Sequence, residues 1–96
     1  MTTAYRYSFD DRSPAEEVEA TLVLALFAVE ALHGEAQTRL DAAHAFDRKL
    51  RTVVIDAGTR VGADLNRVFI GLATREYGPG GFRVARVPQP PEPAAA

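Results

Sequence analysis

The sequence predicts an α+β protein: a two-layer ferredoxin-like sandwich in the order β-α-β-β-α-β. A four-stranded antiparallel sheet carries two helices on one face. Three observations lead there. Aromatic residues alternate with polar ones in "AYRYSF". A long apolar segment with helix start and stop signals follows. Then the strand–helix–strand order returns, in "RTVVIDA", "TRVGADLNRVFIGLATREYG" and "FRVARV".

In the first strand Tyr5, Tyr7 and Phe9 fall on one side, Arg6 and Ser8 on the other. Aromatics at period two mark a half-buried strand. The next segment reads as a helix start. Ser13 suits an N-cap, Pro14 the first helical position, and Glu16 stands where a capping box needs an acid. Glu16 and Glu17 complement the positive end of the helix dipole. Gly34 supplies the stop.

The stretch 36–47 supports two patterns. Alternation puts Thr38, Leu40, Ala42, His44 and Phe46 on one face, which predicts a strand. The alanine content and the spacing Ala36, Leu40, Ala43, Leu50 also suit a helix. "DRKL" then makes a tight connection. Val53, Val54 and Ile55 are β-branched and bounded by polar residues, as in a buried strand. Val61, Leu65, Val68, Phe69 and Leu72 recur at helical spacing, with Thr59 as cap and Gly78 as stop. "GPGG" is a turn and "FRVARV" a last strand. These elements make one domain over 1–87. The segment 88–96, "PQPPEPAAA", has little to bury and is expected to be a disordered or polyproline tail, suited to a tether or a groove ligand.

Composition excludes several function classes. Apolar residues are 47% of 96, enough to expect a core rather than disorder. There are no cysteines, so disulfides, thiolate catalysis and thiolate metal sites are ruled out. The net charge is −2, without the basic excess of a general nucleic-acid binder. The longest uncharged run in the apolar segment, Ala20 to Val29, has ten residues. A membrane span needs roughly 20. With no signal-type segment in "MTTAYRYSFDDRS", the expectation is a soluble, cytoplasmic protein without a membrane partner.

The segment "VEATLVLALFAVEALHG" raises the main functional question, because it is apolar on nearly every side. Val18, Leu22, Ala25, Ala28, Val29 and Leu32 share one arc, expected to face the sheet. Val23, Leu26 and Phe27 form a second stripe at i, i+3, i+4. Leaving such side chains wet forgoes roughly 1.5–3 kcal/mol each. The stripe is therefore expected to be an interface, with another copy of the chain or with another protein. The open sheet face is a second surface, expected to carry Arg6, Ser8, Arg39 and Asp41 around β-branched residues.

Chemistry-bearing motifs are sparse. "VVIDAGTRVG" ends a strand, turns through Gly58 and opens a helix. Backbone N–H groups there, beside Arg60, form a weak candidate for holding an anion, centred on Asp56, Gly58, Thr59 and Arg60. It lacks the lysine–hydroxyl pair of a P-loop and is not a G-x-G-x-x-G fingerprint. In the structural reading of the same string, Thr59 is a cap and Asp56 bonds to loop N–H groups. "TVVIDAGTRVGADLNRVF" resembles in outline the STAS domain of the anti-sigma-antagonist type. There a strand ending in Asp leads through a loop to a helix. The serine that usually starts that helix is replaced by Ala63 and Asp64. The resemblance implies a STAS-like α/β fold as the alternative.

His33 and His44 are the only histidines, and His44 with Asp41 or Asp47 is too few ligands to define a metal site. Tyr5 and Tyr7 sit where RNA-recognition sheets stack bases. The basic, aromatic and glycine pattern required later is missing from "LRTVVIDA". No catalytic residue, metal or cofactor is assigned. The expected function is a non-catalytic interaction module, self-associating through its first helix. A small anion- or ligand-binding module or enzyme at the Asp56–Arg60 turn is the alternative.

Overall fold

The computed structural model describes residues 3–88. The order is β1 (Ala4–Phe9), α1 (Ala15–His33), α2 (Glu35–Asp41), β2 (His44–Asp47), β3 (Thr52–Asp56), α3 (Arg60–Tyr77) and β4 (Phe82–Val87). The architecture is α+β: one four-stranded sheet in the order β2-β3-β1-β4, and three helices. Every strand pairing is antiparallel. That excludes the STAS-like α/β alternative, which needs parallel neighbours joined by crossover helices. The expected tail, apart from Pro88, lies outside the described residues.

Register sorts the strand side chains. Tyr5 pairs with Ile55 and Tyr7 with Val53 on β3, while Tyr7 faces Val84 and Phe9 faces Phe82 on β4. Phe46 pairs with Val53 from β2. This face is the core face. Tyr7, Phe9, Val53 and Ile55 are buried there with Val18, Leu22, Ala25 and Val29 of α1 and Val61, Leu65, Phe69 and Ala73 of α3. Edge-to-face rings knit the layer: Tyr7 and Phe9 both meet Phe69, at 5.0 and 6.3 Å between centroids. Such pairs add about 0.5–1.5 kcal/mol beyond their buried area.

The segment 36–47 is corrected by the structure. Its first part is α2, and only His44–Asp47 is strand. Strong helix formers decide it. Two i,i+4 links decide it further: Glu35 with Arg39 at 2.8 Å, and Gln37 donating to Asp41. The period-two pattern was accidental, for Leu40 is exposed and Thr38 is buried, its hydroxyl donating to the Gly34 carbonyl. The helix count is therefore three rather than two.

The start of α1 also differs. Pro14 is the N-cap, in an extended conformation with ψ 143°, and no side chain caps the helix. The buried Ser13 instead closes a turn, its N–H donating to the Asp10 carbonyl. The helix begins one residue later than the capping box implies. The stops were legible: Gly34 and Gly78 take φ of 87° and 80°, a region open to glycine.

Two glycines make close approaches that no other residue permits. A Cβ on Gly62 would lie 2.0 Å from the Asp56 carbonyl oxygen. A Cβ on Gly81 would lie 2.1 Å from that of Tyr77. The first seats the start of α3 against the end of β3; the second lets the chain double back into β4.

Candidate interaction surface

Helix α1 carries Glu16 and Glu17 in its first turn, and beyond them the only titratable side chains along a largely apolar length are Glu19, Glu30 and His33. Its inward side chains are Val18, Thr21, Leu22, Ala25 and Val29. Thr21 is the one hydroxyl in that set. It donates to the Glu17 carbonyl and shares a 3.3 Å hydrogen bond with the Tyr77 hydroxyl, tying α1 to the end of α3.

The outward face is apolar as well. Leu24 and Phe27 are 56% and 61% exposed, and Val23 is 39% exposed. Ala20, Ala28 and Ala31 are exposed beside them. At about 100° per residue these six fall within an arc of roughly 140°. They form one strip along the helix, opposite the sheet. The strip is a connected apolar patch rather than a set of scattered exposed side chains, which makes it the candidate surface of the described residues.

The structure redraws the predicted stripe. Val23 and Phe27 belong to it. Leu26 does not: it is half-buried and packs against the core. Leu24, assigned to no surface from sequence, is central. Ala28 and Leu32 were expected against the sheet but are exposed, Leu32 at 71%. The sheet-facing arc is narrower than the sequence implied because α3 and the sheet fill only one side of α1. The alternation of charge and apolar residues that usually separates two helix faces is missing here. Only accessibility distinguishes them.

Charge frames one side of the strip. Arg48, from the β2–β3 turn, lies 3.6 Å from Glu16 and 3.9 Å from Glu19. At the C-terminal end His33 Nε2 is 2.8 Å from Asp64 Oδ2 of α3.

The other predicted surfaces are placed differently. Arg6, Ser8 and Val54 alternate with core residues and so lie on the open sheet face, in line with Ala45, Ala85 and Arg83. Arg39 and Asp41 are on α2, not on the sheet, and Val53 and Ile55 are in the core. At the turn after β3, several donors and acceptors are paired within the chain. Asp56 Oδ1 accepts from the Gly58 N–H at 2.8 Å. Thr59 Oγ1 accepts from the Gly62 N–H at 2.9 Å and donates to the Asp41 carbonyl at 2.6 Å. The Thr59 carbonyl accepts from the Ala63 N–H. Arg60 is exposed and projects from the first turn of α3. The geometry of this turn is that of a capped connector.

His44 Nδ1 is 2.7 Å from the Ala42 carbonyl oxygen, a local link within one turn. Among the described residues no three His, Asp or Glu side chains are grouped to hold a metal ion. No helix of the described residues is long and apolar enough to cross a membrane. The core hydroxyl of Tyr7 donates to Asn66 Oδ1 in a short hydrogen bond. Burial, reinforced by the neighbouring Tyr5, pushes its phenol up to about 12. That phenol is enclosed by Phe69 and Phe82 and serves the core.

No protein-family profile, curated protein or solved structure matches this chain.

Proposed function

We propose that the protein is an association module that works through the outward face of α1. The chain supports it on a ferredoxin-like sandwich elaborated by α2. The strand order β2-β3-β1-β4, with helices following β1 and β3, supports that topology. One observation carries the functional reading: Leu24 and Phe27 are more than half exposed at the centre of a strip of apolar side chains. Burying them against a partner gains roughly 25 cal/mol per Å² of apolar surface. A second copy of the chain is the partner this reading favours.

The test is solution mass by light scattering across a wide concentration range. The parent is expected to pass from one chain to two as concentration rises. Phe27→Asp is expected to stay folded, by circular dichroism, and to remain a single chain throughout. A parent of one-chain mass at every concentration refutes self-association. A Phe27→Asp variant that still dimerises moves the contact elsewhere.

A further inference from the structure

The outward strip of α1 reads the same in both directions. Along its midline stand Ala20, Leu24, Phe27 and Ala31, separated by four, three and four residues. This is the spacing of one coiled-coil seam: small, large, large, small. Val23 and Ala28 flank it on opposite sides, equally far from its centre. All six are exposed. We infer that two copies pair through α1 in antiparallel register. Leu24 then meets the partner's Phe27 and Ala20 the partner's Ala31, while Val23 lines one flank of the seam beside the partner's Val23 and Ala28 the other flank beside the partner's Ala28. This rests on the association reading above and specifies its partner and geometry.

Three features favour this arrangement. A closed pair about a two-fold axis needs a self-complementary patch, and a strip symmetric about its own centre supplies one when a second helix is laid against it in reverse. The alanines at both ends let the helices approach closely there, while the larger residues interdigitate in the middle. Electrostatics selects the direction. Parallel pairing brings Glu16 and Glu17 of both copies together at one end, with helix dipoles aligned. Antiparallel pairing separates those carboxylates and opposes the dipoles. It lays the acidic start of one helix beside the negative end of the other's dipole only at its margins, keeping the four carboxylates of Glu16 and Glu17 in two separate pairs at opposite ends of the seam.

Size sets the strength. The seam is roughly 20 Å long and about 10 Å wide, well short of the ~800 Å² per partner of a standard stable interface. The pair therefore forms reversibly, with monomers exchanging, and is not obligate.

Because the chain has no cysteine, single cysteines report the register directly. Three full-length variants serve: Ala20→Cys, Ala31→Cys, and Leu50→Cys in the exposed β2–β3 turn as a collision control. Each is oxidised alone, and the first two are also oxidised as a mixture. Residues 20 and 31 are 11 positions apart, so like positions on two antiparallel helices stand roughly 16 Å from each other, beyond disulfide reach. The expected result is covalent dimer in the mixture at least tenfold above either variant alone and above the control. Strong cross-linking of Ala20→Cys with itself, and of Ala31→Cys with itself, means parallel pairing. It overturns the register while association through α1 stands. Dimeric mass by scattering without cross-linking above the control overturns both the register and the use of this face. Parent protein of one-chain mass at all concentrations removes the association reading itself.

Discussion

His33, in the last turn of α1, meets Asp64, in the first turns of α3, with Nε2 and Oδ2 2.8 Å apart. Asp64 stands near the start of its helix, where a carboxylate complements the dipole, and both side chains are largely shielded from solvent. Arg67 adds a looser contact to the same carboxylate at 3.8 Å. The pair fastens the two helices at one end, as Thr21 and Tyr77 fasten them at the other. His33→Ala is expected to lower unfolding free energy by about 1 kcal/mol in urea titrations. A change below a few tenths of a kcal/mol would show that the hydrogen bond contributes nothing net.

Glycine substitutions should separate close approach from simple flexibility. Gly62→Ala drives a Cβ into the Asp56 carbonyl and must displace α3 from β3. A loss of about 3 kcal/mol or more is expected, at or beyond the upper end of ordinary overpacking. Gly71 is exposed in the same helix, with open space where its Cβ would be. Gly71→Ala is expected to stabilise by about 0.5–1 kcal/mol through helix propensity. Thermal melts of the two variants should therefore move in opposite directions.

Tyr7 gives an alkaline prediction. Its phenol titrates near 12 in the folded chain and near 10 when unfolded. Below pH 10 both states hold the proton and the folded state keeps its full advantage. As pH rises from 10 towards 12 the unfolded chain gives up its proton first, so stability falls. The loss amounts to about 2–3 kcal/mol from this residue. Tyr7→Phe should be less stable at neutral pH, since Asn66 Oδ1 loses its donor. Its stability should then decline more gently than the parent's over that alkaline window. Identical slopes in the two proteins would contradict the assignment.

Leu26 and Phe27 are adjacent in sequence and opposite in consequence. Leu26 packs against the core, so Leu26→Asp is expected to cost several kcal/mol and to unfold much of the population. Phe27→Asp should change stability by less than about 1 kcal/mol while abolishing association. Urea unfolding and scattering on the same samples separate the two effects.

Arg51 adopts φ 52°, a left-handed conformation costly for a residue with a side chain. Its carbonyl accepts the Phe9 N–H at 3.0 Å, which pins the turn to β1. Arg51→Gly keeps that bond and relieves the strain. It should raise the urea midpoint, by up to about 1 kcal/mol in free energy.

Much of this fold was legible from local chemistry. β1 follows from alternation, β3 from its β-branched run, β4 from its place after the "GPGG" turn, and α3 from its apolar spacing and the Thr59 cap. Gly34 and Gly78 end their helices where expected. What failed were positions where two local rules competed. Over 36–47 the alternation of Thr38, Leu40 and Ala42 imitated a strand. The i,i+4 pair Glu35–Arg39, a helical signal available in the sequence, prevailed. At Ser13 the capping box was present as a pattern, but Pro14 stayed extended and moved the helix start. On α1 the sequence showed an excess of apolar residues without showing which were covered. Telling Leu26 from Leu24 depends on how α3 and the sheet meet the helix, and that is tertiary information.

Strand β2 is four residues long because α2 takes up the chain before it. It is also an edge of the sheet. So short a border offers few unpaired backbone groups to an incoming strand, and the turn that follows adds Arg48 and Lys49 beside it. Long edge strands are where sheets recruit one another into fibrils, and brevity and charge are the usual guards. The helix that displaced half of the expected strand thus protects the folded chain on this side against runaway strand addition. The outward strip of α1, by contrast, is a helix face, whose backbone groups are already paired within the helix and offer no such edge.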